Sequence, residues 1–290
     1  MAKLEKNYEM ITVVMCVYNA HNETRDALRS IIDHDTDLIN RIIVVDDCSN
    51  MKTKFMLRQM KKTSNKISII RNEINLGYTK SANIGLKSSN SKFVALVNSD
   101  ILVTKGWLES LYRGIESDKT LALCGPLSNC AGWQSVPELF NSDRSWKINI
   151  IPIGYTVSTF SELIYKLFEG ELVSTPFVNG FCSLIRVEAL NQVGYLDEIN
   201  FPKGYGEEND LAIRFQLKGW NLAIIPEAFV YHEKSRSFGH AQRRKLSHIA
   251  MLRLKNKYGD EYIRELTHAK NYRAINSIRE RLLCVIQDIK

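Results

Sequence analysis

No stretch of this 290-residue chain stays apolar for the roughly 20 residues that a membrane-spanning helix needs. The opening MAKLEKNYEM does not read as a signal peptide. Six cysteines (Cys16, Cys48, Cys124, Cys130, Cys182 and Cys284) are scattered and never form a C-x-x-C pair. A zinc site or a disulfide framework is thereby disfavoured, and a reducing cytoplasm is the expected location. No glycine follows the first apolar run, where VYNAHNETRD stands, and there is no G-x-x-x-x-G-K-[ST]. A Gly-rich loop therefore does not hold the phosphates of any bound nucleotide. Internal repeats and low-complexity segments are absent too.

What is present suits a folded enzyme-sized domain. Hydrophobic residues make up 44% and charged residues 24%, and the length allows one large α/β domain with or without an appendage. The net charge of +7 is uneven. From Lys234 onward there are 14 Lys/Arg against five Asp/Glu, so the basic character belongs to the tail.

Residues 10–19 (MITVVMCVYN) form a continuous, β-branched apolar run ending in polar residues, as a strand buried on both faces does. Helical spacing follows at Ala27, Leu28, Ile31 and Ile32. RIIVVDDCSN and MKTKFMLRQMKKTS repeat strand and helix, KISIIRNEINLGYTKSANIGLKSS gives a third pair, and KFVALVNSDILV a fourth strand. Such alternation predicts right-handed crossovers and a doubly wound, mainly parallel sheet, with ligands beyond the carboxyl ends of the strands. Those ends carry Val17-Tyr18-Asn19, Asp46-Asp47, Asn75-Leu76-Gly77 and Asn98-Ser99-Asp100. An acidic edge of this kind suits a divalent cation bridging carboxylate and diphosphate. Further on, the pattern predicts a strand over 181–186, a helix over 208–218, two short strands ending at His232, and tail helices over 241–258 and 271–289.

The fragments VVDDCS, NLGYTKSANIGL, LVNSD, FVNGFCSLIR, YGEENDLAIR and VYHE stand in the order seen in family 2 glycosyltransferases of the GT-A fold, which the chain resembles over about residues 11–235. The resemblance implies a nucleotide-binding half (about 10–103), an acceptor and catalytic half (about 104–235), and a basic helical extension (236–290). It implies transfer of a sugar from a nucleotide-activated donor, UDP-linked first and dTDP- or GDP-linked otherwise, with inversion and with Mn²⁺ or Mg²⁺. By the same resemblance Val17, Tyr18, Asn19, Asp46 and Asp47 face the base and ribose, without settling which carboxylate reads the base. Asn75, Gly77, Lys80 and Asn83 would pass under the nucleotide, Lys80 being either a phosphate partner or a solvated helix lysine. Asp100 matches the last aspartate of the family's D-x-D motif, a metal ligand. Asn98 stands where that motif's first aspartate would be, so Asp100 brings the triplet's only charge, Ser99 lying between. His232 matches a histidine that completes the metal shell. The catalytic base falls on Glu208, with Glu207 beside it touching sugar hydroxyls and Asp210 in the same acidic cluster. Trp133, Gly180 and Phe181 would line the sugar or acceptor side, whereas Trp220 suits a core position better.

In the tail, Ile275, Ile278, Leu282, Val285 and Ile289 make a heptad-like stripe among Arg273, Arg279 and Arg281. That stripe either docks on the domain, pairs in a homodimer, or lies on the inner face of an anionic membrane beside a lipid-linked acceptor. The expected partners are a sugar nucleotide and a glycan or lipid-linked acceptor in surface polysaccharide synthesis, with no nucleic acid. The rival readings are a nucleotidyltransferase of related fold, which would carry a Gly- and Lys-rich loop, and a non-catalytic module binding sugar nucleotide or nucleic acid. An acidic nucleotide edge and a tail without interleaved aromatics weigh against the last.

Overall fold

The computed structural model describes residues 11–34, 36–233, 240–268 and 272–287. The boundary expected at residue 235 and the stripe residue Ile289 lie outside them.

The first hundred residues fold as their periodicity predicts. Strands β1 (Ile11–Val17), β2 (Ile39–Asp46), β3 (Ile67–Arg71) and β4 (Phe93–Val97) alternate with helices α1 (His21–Asp33), α2 (Met51–Thr63) and α3 (Tyr78–Lys87). All five residues of β4 are buried, because helices cover both faces of the sheet. The chain then breaks at residues 98–100 and resumes as the two-residue β5 (Ile101–Leu102).

The later elements are α4 (Trp107–Ser117), β6 (Leu121–Leu127), α5 (Val157–Phe168), β7 (Val173–Ser174), β8 (Cys182–Arg186), α6 (Val187–Val193), α7 (Glu207–Leu217), β9 (Asn221–Phe229) and β10 (Tyr231–His232). Eight strands form one sheet in the order β3-β2-β1-β4-β8-β6-β9-β7. Neighbours run parallel from β3 to β4 and between β6 and β9; β8 and β7 run antiparallel to theirs. A separate antiparallel ribbon pairs β5 with β10. The segment expected as two short strands is thus the nine-residue β9 plus that ribbon strand, each in a different sheet.

Helices α8 (His240–Tyr258), α9 (Asp260–His268) and α10 (Tyr272–Gln287) close the chain. Leu254 and Ile263 sink into the cluster that holds α7. The tail stripe docks on its own domain: Ile275, Ile278 and Leu282 are buried with Phe160, Ile164 and Phe168 of α5 and with Phe229 of β9. Three of the five stripe residues are thus buried within the chain's own domain, which is the docking alternative. Buried Arg279 interrupts the stripe, its Nε donating to Ser135 O at 2.9 Å and its guanidinium also reaching Trp133 O. Among the described residues no helix is long and apolar enough to cross a membrane.

Candidate active site

The break after β4 has a mechanical cause. Asn98 N–H donates to Phe181 O at 2.8 Å, turning the chain toward β8, and Glu233 N–H donates to Asp100 O at 2.9 Å. Ile101 then registers against His232 in the ribbon. Two polar residues 132 positions apart in the numbering therefore meet, with His232 Nε2 at 3.2 Å from Asp100 Oδ1.

The histidine is fixed from every side. Its N–H donates to Asn129 Oδ1 at 2.7 Å and its carbonyl accepts from Asn129 Nδ2 at 3.2 Å. Phe181 stacks on its ring, with centroids 5.2 Å apart and planes 16° from parallel. Nδ1 lies 3.0 Å from Cys130 O. A carbonyl oxygen only accepts, so Nδ1 carries a hydrogen and Nε2 is the ring nitrogen turned toward Asp100. A proton or a cation held between Nε2 and Asp100 Oδ1 satisfies both atoms.

That arrangement fits a divalent metal ion. A carbonyl on the far ring nitrogen is the arrangement that orients metal-ligating histidines. Among the described residues no group of three or more His, Cys, Asp or Glu could hold an ion. The protein thus offers one carboxylate and one imidazole, leaving other positions to oxygens of a ligand, as Mg²⁺ and Mn²⁺ sites with phosphate do.

The rim of β1 to β3 differs from expectation. Buried Asp46 pairs with Arg71 and accepts Ser49 N–H at 2.9 Å. Buried Asp47 accepts from Asn72 Nδ2 at 2.8 Å, Leu76 N–H at 2.7 Å and Gly77 N–H at 2.9 Å. Both carboxylates are spent on building the loop rather than standing open to a base. Gly77 is required there: at φ +87° an added Cβ would lie 2.5 Å from Pro202 O. Asn83 is likewise committed, bonding Leu196 through both its donor and acceptor atoms and Glu198 Oε2 at 2.8 Å. What the rim leaves open is Tyr18, 56% exposed, with Asn75 and Lys80. Asn19 takes a left-handed turn and its Oδ1 holds Asn50 N–H at 2.9 Å; Val17 is core. Asn98 and Ser99 are half-buried beside Asp100.

Gly206 sets the start of α7. At φ +103° it packs so closely that a Cβ would meet Phe201 at 2.8 Å and Ala250 at 2.9 Å. Glu208 Oε2 accepts Gly206 N–H at 3.1 Å, and Gly180 faces it, an added Cβ coming within 3.4 Å of Glu208 Cβ. Glu207 is 6% exposed and its Oε2 has no hydrogen-bond partner. Burial first, and the neighbouring Glu208 charge second, raise its pKa well above the usual carboxylate range.

Three expectations are corrected. Asp210 cannot serve as a base: it is 0% exposed and accepts from Arg214 Nε at 2.8 Å, Lys257 Nζ at 2.6 Å and Tyr258 Oη at 2.7 Å. Phe181 offers no face to a sugar, because it is buried against His232. Trp133, expected to line the sugar or acceptor side, is half-buried between two core clusters. The sequence assigned no part in the site to Asn129, the Cys130 carbonyl or Arg71, and placed Arg279 only beside the tail stripe. Arg279 had a signal, being a charge on the buried arc between Ile278 and Leu282; the Cys130 contact is made by a carbonyl and had none.

Comparison with known proteins agrees with this layout. Residues 12–194 match the family model described as Glycosyl transferase family 2. An uncharacterized glycosyltransferase of Haemophilus influenzae is 30% identical over 120 residues, 41% of this chain and 37% of that one. The chain spans less than two thirds of the length of the curated relatives it matches. Among solved structures, GalNAc-T7 with UDP, GalNAc and Mn²⁺ superposes with a TM-score of 0.66 at 16% identity, covering 96% of this chain and 56% of that one. A mannosyltransferase from Pyrobaculum calidifontis, in complex with GDP-Man and Mn²⁺, gives 0.59 at 14% identity, covering 96% and 86%. These structural likenesses are of fold, the GT-A fold.

Proposed function

The chain belongs to glycosyl transferase family 2, and on that premise we propose that it moves a sugar from a nucleotide-sugar donor to a hydroxyl of an acceptor, inverting the anomeric carbon. The Asp100–His232 pair carries the reading, since a carboxylate and an imidazole, two metal-ligating groups, face each other beyond the carboxyl end of β4, where ligands of such sheets bind. Asp100 and His232 hold a divalent cation, whose chemistry when bound is to offset the charge of a diphosphate leaving group.

Tyr18, Asn75 and Lys80, the open groups of the rim, contact the nucleotide. Glu208 takes the proton of the acceptor hydroxyl as that oxygen bonds to the anomeric carbon and the bond to the diphosphate breaks. Gly180 keeps the approach to Glu208 clear of a side chain. Since the similar structures hold UDP or GDP-Man with Mn²⁺, UDP- and GDP-sugars with Mn²⁺ are the first donors to supply. A glycan or lipid-linked saccharide of a surface polysaccharide is the acceptor class, and six free thiols support a cytoplasmic site of action.

The test is a panel of UDP-, GDP- and dTDP-sugars with Mn²⁺ or Mg²⁺, the product's anomeric configuration being read by NMR. Turnover of a donor with inversion supports the reading. Glu208→Gln should then lower kcat by at least about 100-fold; wild-type turnover in that variant removes Glu208 from the role.

A further inference from the structure

Three carboxyl groups open α7, and the fold treats two of them in opposite ways. Asp210 is enclosed by an arginine, a lysine and a tyrosine hydroxyl, so its charge is matched. Glu207, almost as buried, has an oxygen with no donor at all. Its carboxyl borders a cavity of about 20 Å³, space for a single water, lined among others by Tyr78, Ser183, Gly180 and Glu208. Among the described residues no Lys, Arg or His is in that lining. An ionised Glu207 would therefore stand unpaired beside Glu208, at a cost the neighbouring cations do not relieve.

We propose that Glu207 is a positioning residue: it keeps its proton at neutral pH and donates it in a hydrogen bond to Glu208, holding that carboxylate in place for the acceptor. This rests on the reading of Glu208 as the base. The two side chains are consecutive in α7 and line the same cavity. Glu208 accepts Gly206 N–H and is the less buried of the two, so it is the member better placed to hold the negative charge, and Glu207 supplies its second donor.

Among the described residues, the groups facing this part of α7 from α3, β8 and α8 are consistent. From α3 comes the Tyr78 phenol, whose own pKa is raised chiefly by burial. β8 brings the uncharged Ser183, and α8 brings Ala250 against Gly206. None of these offers a positive charge. The proton on Glu207 is not consumed: Glu208 accepts the acceptor's proton and returns it to solvent while Glu207 keeps its own.

The test reads the proton directly. Infrared spectra of the full chain at neutral pH should show a protonated carboxyl band that is lost in Glu207→Gln. The band should persist in Glu208→Gln, because burial is the larger cause. A band that survives in Glu207→Gln, or is lost only in Glu208→Gln, overturns the proposal. Kinetics give a second readout. In the wild type kcat should fall on the alkaline side as Glu207 ionises. Glu207→Gln should move that fall up by at least about one pH unit, with KM for donor changed less than about threefold. An alkaline limb identical in the two proteins contradicts the proposal. The infrared result stands whether or not Glu208 proves to be the base, so the two readings fail separately.

Discussion

Lys257 Nζ lies 2.6 Å from Asp210 Oδ1, and the same lysine reaches Asp197 Oδ2 at 2.9 Å. Through that lysine the C-terminal helix α8 grips both the loop ahead of α7 and the helix that presents Glu207 and Glu208. The extension is therefore part of how the site is held. Asp197 is resisted by partial burial, but Asn200 and Lys257 outweigh it and hold its pKa down to about 2. A depressed carboxyl stabilises above its unfolded value of about 3.9 and loses that contribution as pH falls toward the folded one. The grip should thus persist through mildly acid solution and fail only near the folded value.

Removing one partner from the buried pair should be costly. Asp210→Asn leaves Arg214 and Lys257 facing an uncharged amide, and should destabilise the chain by about 3 kcal/mol. Urea unfolding of Asp210→Asn, Lys257→Met and the double variant checks this. A coupling near zero across that cycle would mean the pair does not act as a unit.

Phe181→Leu keeps most of the buried volume but removes the ring stacked on His232. It should cost about 1 kcal/mol of stability, while Mn²⁺ affinity falls by more than the stability loss alone would suggest. Titration calorimetry with Mn²⁺ and nucleotide reads the second effect. Unchanged affinity would reduce Phe181 to core packing.

Arg279→Met should loosen the segment between Trp133 and Ser135, whose carbonyls the guanidinium holds. Loss of bonds to a buried charged donor is worth about 2–3 kcal/mol, seen as a lower Tm. Faster amide exchange at residues 128–137, with the sheet unaffected, is the local signature to measure.

Glu207 should make folding less favourable at neutral pH. Its pKa is raised in the fold, so its contribution is fully present below the unfolded value of about 4.3 and is lost as pH rises toward the folded value. Glu207→Gln should therefore raise Tm at pH 8 and leave it near the wild-type value at pH 4. The opposite ordering would mean that Glu207 is ionised and paired.

The strand tips were legible because apolar runs and polar ends are local signals. Asp100 and His232 could be named from motif positions, and the β5–β10 ribbon supplies their contact. The fate of Asp210 was not legible: Lys257 and Tyr258 lie 47 and 48 residues further on, and spacing within YGEENDLAIR says nothing of them. Asp46, Asp47 and Asn83 sit in the expected places, yet their oxygens go to Arg71, Leu76, Gly77 and Leu196, partners that only the folded loops bring near. Phe181 read as an open aromatic because one strand-end residue does not reveal which face of the strand it takes. The tail stripe showed that an apolar face existed, but not that α5 and β9 would cover it.

The central claim is that Asp100 and His232 hold a divalent cation against a nucleotide diphosphate. Calorimetric binding of UDP or GDP, with and without Mn²⁺, tests it most directly in the wild type and in Asp100→Asn. Mn²⁺-dependent nucleotide binding is expected in the wild type, weakened at least about tenfold by the substitution, as loss of a metal-ligating carboxylate entails. Equal Mn²⁺-dependent binding in both proteins would contradict it.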